Sequence, residues 1–215
     1  MRRIRVLIVD DHPLVRQGLA FLLAAHDEYE VCGEAETECE AIAIADETNP
    51  DLLIADISLK TGNGIDLIKQ IKERQPKLKI LVISAFQESL YAERALRAGA
   101  MGFLNKQETQ SKLLEAIGTV LRGERYVSPE LSRRLISQAL TNSNEAQEPT
   151  QLLTNRELEV FRMIGQGMTS GAIANQLHLS RHTIDTHREN IKRKLGAKDA
   201  GELNRQAVQW LLENG

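Results

Sequence analysis

Hydrophobic residues fall in two rhythms along the chain. Up to about residue 125, short runs that are apolar at consecutive positions alternate with longer stretches in which apolar residues recur every three to four positions. Ile4 to Val9, Glu30 to Cys32, Leu52 to Ala55, Ile80 to Ile83 and Gly102 to Leu104 read as strands. Strands apolar at consecutive positions are covered on both faces, the pattern of a parallel sheet wrapped by helices. Pro13 to Ala25, Glu38 to Glu47, Ile65 to Arg74, Leu90 to Ala98 and Gln110 to Leu121 carry the helical period, with Asn49-Pro50 and Gln75-Pro76 as stops. Five such units predict an α/β doubly wound, five-stranded parallel sheet over residues 1–125.

The second rhythm is purely helical. Ser128-Pro129-Glu130 opens a helix carrying Leu131, Leu135, Ile136 and Leu140, and periodicity then disappears from Thr141 to Thr150, so residues 126–150 read as a linker helix and a flexible linker. Over 151–215, Thr154 with Glu157 forms a capping box before Leu158, Phe161 and Ile164, a helix closed by Gly165 and Gly167. Thr169 or Ser170 caps a short second helix with Ile173, Ala174 and Leu177. Ser180 caps a third with Ile184, Ile191 and Leu195, stopped by Gly196, and a fourth starts near Asp199. A short helix, a turn at Leu177 to Ser180 and a longer helix make this an all-α, four-helix helix-turn-helix domain.

Composition narrows the function. Hydrophobic residues at 42% and charged residues at 27% exclude a collagenous or wholly disordered chain. The apolar run through Ala20 to Ala25 is far short of the roughly 20 residues a spanning helix needs. Asp10-Asp11 also cuts off the apolar run behind Arg2, Arg3 and Arg5 before it reaches signal-peptide length, so no membrane and a cytoplasmic location are expected. Cys32 and Cys39 have no second pair to build a disulfide framework or metal site with, and read as small buried hydrophobes. Net charge is −3, split as nine Lys/Arg against seven Asp/Glu over 151–215 and 18 against 23 before it. The basic balance of the second part points to a nucleic-acid partner there.

In an open α/β sheet, ligands bind beyond the carboxyl ends of the strands, where the winding reverses. Asp10 and Asp11 follow the first strand, Asp56 the third, Ser84 the fourth and Lys106 the fifth. In a 2-1-3-4-5 strand order the three carboxylates converge. They repel unless compensated, and a hard divalent cation such as Mg²⁺ relieves this while neutralising an incoming phosphoryl group. Asp56 is then a nucleophile on phosphorus, with Lys106 and the Ser84 hydroxyl on the phosphoryl oxygens. Singly, Asp10-Asp11 is an ordinary helix cap and Lys106 a solvated charge; their joint placement favours a site.

These residues carry a resemblance. Through Asp10-Asp11-His12-Pro13-Leu14-Val15-Arg16, Asp56-Ile57-Ser58-Leu59, Ser84-Ala85 and Gly102-Phe103-Leu104-Asn105-Lys106, residues 1–125 resemble the flavodoxin-like receiver domain of bacterial two-component response regulators. The resemblance implies that Asp56 accepts phosphate from a sensor histidine kinase. It also implies that Asp11 and Asp56 ligate Mg²⁺ with the Ser58 carbonyl while Asp10 helps through water, and that Ser84 and Phe103 are a switch pair, the ring turning inward as the hydroxyl closes on phosphate. One departure stands out: Lys60 occupies the usual proline position, before the glycine-rich Thr61 to Gly64, so the loop is expected to be more mobile. A phosphatase of the haloacid-dehalogenase type also uses an aspartyl nucleophile, a Ser/Thr and a Lys. Its D-x-D-x-[TV] pattern after the first strand is replaced here by Asp10-Asp11-His12.

In the helical domain, residues 181–198 hold six basic residues and two acids. With Ile184, Ile191 and Leu195 facing inward, Arg181, Asp185, Arg188, Glu189 and Lys192 lie on the outer faces. Thr169, Ser170 and Thr183 suit phosphates, and Asp185, Thr186, Arg188 and Glu189 suit base edges. Arg181, Arg188 and Arg193 are spaced to pair with the two acids. Leu153 to Val160, Ile173-Ala174, and Ser180 to Leu195 with Thr183-Ile184 and His187 resemble the LuxR-type DNA-binding domain. Both domains together match the NarL/FixJ class, which implies a phosphorylation-controlled transcription factor that binds DNA and forms a homodimer on phosphorylation, a switching protein rather than a metabolic enzyme.

Overall fold

The computed structural model describes residues 2–59, 62–85, 88–108, 110–141 and 149–214. They divide into two compact units, 1–136 and 137–215. The first is built on strands β1 (Ile4–Val9), β2 (Tyr29–Ala35), β3 (Leu52–Ala55), β4 (Lys79–Ser84) and β5 (Gly102–Asn105), all parallel in the order β2-β1-β3-β4-β5. Helices α1 (Pro13–Ala24), α2 (Glu38–Thr48), α3 (Gly64–Arg74), α4 (Glu88–Ala98) and α5 (Gln110–Leu121) connect or follow them. Leu19 and Leu23 of α1 and Leu113, Ile117 and Val120 of α5 pack with Val6, Ile8, Ile54, Leu81 and Leu104 in one cluster, so these two helices cover one face of the sheet. Every residue of β3 is buried, as its unbroken apolar run requires.

β2 is longer than the three residues expected, because pairing with the six-residue β1 draws Gly33 to Ala35 into the ladder past an irregularity at Val6/Leu7. The cysteine expectation is corrected. Cys39 is exposed on the first turn of α2, and Cys32 is half-buried on the edge strand with Sγ 3.6 Å from Thr48 Oγ1. An edge strand and a helix start leave one side open to water, which a two-residue pattern cannot reveal. Beyond α5, Tyr126 forms a parallel bridge with Gly102, adding a one-residue rung to the free edge of β5. Helix α6 (Pro129–Thr141) follows, its Leu131 buried in the first unit. The Ser128 hydroxyl caps α6 at the Leu131 N–H (3.1 Å), while the Ser128 N–H donates to Glu88 of α4 (2.8 Å).

The second unit contains a 3-10 turn at Pro149–Leu152 and helices α7 (Asn155–Gly165), α8 (Ser170–Gln176), α9 (Arg181–Leu195) and α10 (Ala200–Asn214). The capping box at Thr154/Glu157 forms, Thr169 caps α8, Ser180 caps α9, and Gly196 ends α9 in the left-handed region at φ 67°. Phe161, Ile164, Ile173, Ile184, Ile191, Leu203 and Ala207 make the core. Gly165 is required where α7 meets α10, since a Cβ there would lie 2.5 Å from the Ala207 carbonyl oxygen. Leu195, expected in the buried stripe, is only half-buried at the helix end.

Candidate functional site

The strand ladders carry three backbone groups one step past the sheet. Asp10 N–H donates to Ala35 O (3.1 Å), Asp56 N–H to Val9 O (2.8 Å) and Lys106 N–H to Ser84 O (2.9 Å), which aims all three side chains into the cleft at the β1/β3 switch point. Lys106 Nζ lies 2.5 Å from Asp10 Oδ2 and 2.8 Å from Asp56 Oδ2. Ligand atoms of Asp10, Asp11, His12 and Asp56 all fall within 4.8 Å of one another. Burial pushes the Asp56 carboxyl up to about 6; Lys106 pulls it down, Asp10 pushes it further up, and the nearby Ser58 N–H pulls it down. Burial lowers the Lys106 ammonium, but Asp56 and Asp10 outweigh that and hold it above its ordinary value. Among the described residues, Asp56 Oδ1 is buried with no hydrogen bond of normal geometry. An unpartnered carboxylate oxygen among three acids is a donor set that fits a hard divalent cation.

His12 was absent from the site read from sequence. Its backbone N–H donates to Asp10 Oδ1 (2.9 Å) and its ring Nδ1 lies 2.6 Å from Asp11 Oδ1 without a hydrogen bond of normal geometry; its position directly after the Asp pair was the available signal. Ser84 is buried, and the Phe103 ring already lies inside, 2% exposed. The ring is thus inward before any phosphorylation, as suits a phenyl group with no hydroxyl to hold it at the water boundary. Of the glycine-rich loop, Lys60 and Thr61 lie outside the described residues.

On the helical unit, Arg181, Asp185, Thr186 and Glu189 are exposed along α9, and Thr169 is exposed at the start of α8. Ser170, Thr183, Arg188 and Lys192 are half-buried. Arg188 donates to Asn204 of α10 (2.9 Å), so its guanidinium is directed at a neighbouring helix. Thr183 shares a hydrogen bond with Ser180 (2.8 Å), and Thr186 donates back to His182 O (3.0 Å). Arg181 pairs loosely with Asp185 at 3.9 Å. Glu189 pairs with Lys192 at 2.6 Å, while Arg193, expected on Glu189, bonds Asn190 instead. The i,i+3 Lys reaches Glu189 along the same helical face, which leaves Arg193 free to turn aside.

The family model for the response regulator receiver domain matches residues 6–118, more than half of the chain, and that for bacterial regulatory proteins of the luxR family matches 151–207. The chain is a LuxR-family response regulator. The regulator is 30% identical over 227 residues to the transcriptional regulatory protein DegU of Brevibacillus brevis, covering 99% of this chain and 94% of that protein. It is 34% identical over 213 residues to the oxygen regulatory protein NreC of Staphylococcus aureus (strain MRSA252), covering 97% and 98%. Among solved structures it is similar to RcsB from Salmonella enterica serovar Typhimurium bound to promoter rprA in the presence of phosphomimetic BeF3⁻, with a TM-score of 0.62, 27% identity, and 96% and 99% of the two chains covered.

Membership bears out the receiver fold followed by a helix-turn-helix domain. Among the described residues of the regulator, no helix is long and apolar enough to cross a membrane. Sequence reasoning missed the contacts that lock the regulator's second unit. Glu157, buried and already in the capping box, accepts Lys194 Nζ of α9 at 2.5 Å, and Arg156 bonds both Glu159 (2.8 Å) and Leu177 O (3.2 Å). Burial raises the Glu157 carboxyl, but Lys194 and the Thr154 amide and hydroxyl outweigh it and hold it below the usual carboxylate range. His187 is held below the ordinary imidazole value by burial and by Arg156, with Glu157 opposing.

Proposed function

We propose that this regulator accepts a phosphoryl group on Asp56 from a sensor histidine kinase in the cytoplasm and answers by binding specific DNA as a homodimer. The observation that carries the reading is the convergence of the buried Asp56 carboxyl with Asp10, Asp11 and Lys106 beyond the ends of β1, β3 and β5. An Asp56 oxygen attacks phosphorus, the phosphorus–nitrogen bond to the donor histidine breaks, and the imidazole leaves with the electron pair. Lys106, now shared by two carboxylates, turns one N–H toward the phosphoryl oxygens as Asp56 becomes an acyl phosphate, and the Ser84 hydroxyl donates to another. Asp11, Asp56 and the Ser58 carbonyl, with Asp10 through water, would hold Mg²⁺, which when bound supplies positive charge against the three acids and the phosphoryl oxygens.

Phe103 is the residue through which the change travels. Its N–H donates to Tyr126 O (2.9 Å) and the Tyr126 N–H to Met101 O (2.9 Å), so a shift of β5 moves the segment that leads into α6. DNA binding uses α9 in the major groove, with Thr169, Ser170, Arg181, Thr183 and Lys192 on phosphates and Asp185, Thr186 and Glu189 toward base edges, where Arg188 joins them only by leaving Asn204. Similarity to an RcsB structure bound to a promoter supports this role. The test incubates the protein with acetyl phosphate and Mg²⁺ and reads intact mass, light-scattering mass and DNA affinity. One phosphoryl adduct, a doubled mass and tighter DNA binding are expected, all lost in Asp56→Asn. An adduct retained by Asp56→Asn overturns the assignment.

A further inference from the structure

The loop after Asp56 lacks the receiver family's usual proline, yet its closing end is gripped by a side chain from another helix. Gly62 adopts φ 88°, and a Cβ there would fall 2.1 Å from Glu38 Oε2 and 2.9 Å from Glu38 Cβ, so the Glu38 side chain lies directly over it. Glu38 Oε2 accepts the Asn63 N–H at 3.3 Å, and Oε1 accepts the Gln70 carboxamide. Buried Asn63 caps α3 by accepting the Ile65 N–H at 2.9 Å. The next residue, Gly64, donates to Ile57 O at 2.8 Å, and a Cβ on it would sit 2.1 Å from the Asp56 carbonyl oxygen. One carboxylate on α2 thus reaches the backbone of the phosphoacceptor through two residues. Glu38 is the first residue of α2 and bonds the cap residue of α3, so it joins the starts of two helices.

We propose that Glu38 is a positioning residue for phosphoryl transfer: it clasps the end of the β3–α3 loop and so fixes the Asp56 carboxyl and the Ser58 carbonyl that the loop carries. This rests on the reading of Asp56 as the phosphoacceptor. A proline restricts a loop by limiting its own dihedrals, whereas Glu38 restricts it from outside by holding Gly62 and Asn63 against α2 and α3. Without the clasp, Asp56 keeps its chemistry and loses its aim.

The test uses the full-length protein with acetyl phosphate and Mg²⁺, following the initial rate of labelling by intact mass, and hydrogen exchange at the Asn63 amide in the untreated protein. Glu38→Ala should slow labelling about tenfold, below the roughly hundredfold that a 1 Å misplacement can cost, and accelerate Asn63 exchange to a similar degree. Glu38→Gln, which can still accept from Asn63, should restore most of both. Gln70→Ala removes one anchor only and should fall between wild type and Glu38→Ala. Wild-type rate and wild-type Asn63 exchange in Glu38→Ala, with the label on Asp56, would overturn the clasp. A label that survives Asp56→Asn would overturn the phosphoacceptor reading instead.

Discussion

Lys194→Met separates α9 from its anchor in a way that can be measured in free energy. Lys194 of α9 reaches 37 positions back to the buried Glu157 at 2.5 Å. At an effective dielectric near 20, that separation gives an attraction of about 6–7 kcal/mol before desolvation is charged against it. Removing one partner of a fully buried pair costs about 3–5 kcal/mol. Two features lower that here: the Lys194 side chain is 29% exposed, and Glu157 keeps its bond from the Thr154 N–H at 2.8 Å. The expected cost is therefore about 2 kcal/mol, which at roughly 1 kcal/mol per molar urea for a unit of this size moves the midpoint down by about 2 M. Trp210, the one tryptophan of the chain, packs on Phe161 with ring centroids 5.4 Å apart, so fluorescence-detected urea titration reports the helical unit. The pH dependence has a definite sign. A depressed folded pKa at Glu157 contributes stability in full above the ordinary carboxylate value near 4.3 and loses it as pH falls through the lower folded value. Acidification should thus narrow the gap between wild type and Lys194→Met. A midpoint shift below about 0.5 M, or a gap that does not narrow in acid, would refute the pairing as the anchor of α9.

Two further outcomes follow from the sites. Asp185→Ala frees Arg181, now 3.9 Å away, and removes a negative charge from the side of α9 proposed to face the groove; non-specific DNA affinity should rise while the ratio of specific to non-specific binding shrinks, measured by competition at one stated salt concentration. Gly64→Ala places a Cβ 2.1 Å from the Asp56 carbonyl oxygen, which should destabilise the receiver unit by about 1–3 kcal/mol in calorimetry; an unchanged receiver transition would show that the loop is looser than its contacts imply.

Local instructions in the chain were readable without any tertiary information. The apolar runs of β1 and β3, Thr154 with Glu157, Ser180 and Gly196 each specify a backbone state within a few residues, and α5 spans the residues its periodicity marks. The acidic pocket was legible for a related reason. A parallel sheet sends the ends of its strands to one edge, so a residue's position after a strand already places it.

Distant partners were not legible, because a charged residue matches many others equally well until packing selects one. Glu157 reads as a cap residue, and only the α7–α9 contact makes it the partner of Lys194. Arg188 reads as a base-edge candidate, and only the approach of α10 gives it Asn204. The β3–α3 loop reads as loose from its glycines, and only the approach of α2 brings Glu38 over Gly62 and Asn63. Periodicity encodes which face of an element turns inward. Which element lies opposite that face, and so which charge or amide a side chain meets, is decided by three-dimensional packing between segments far apart in the chain.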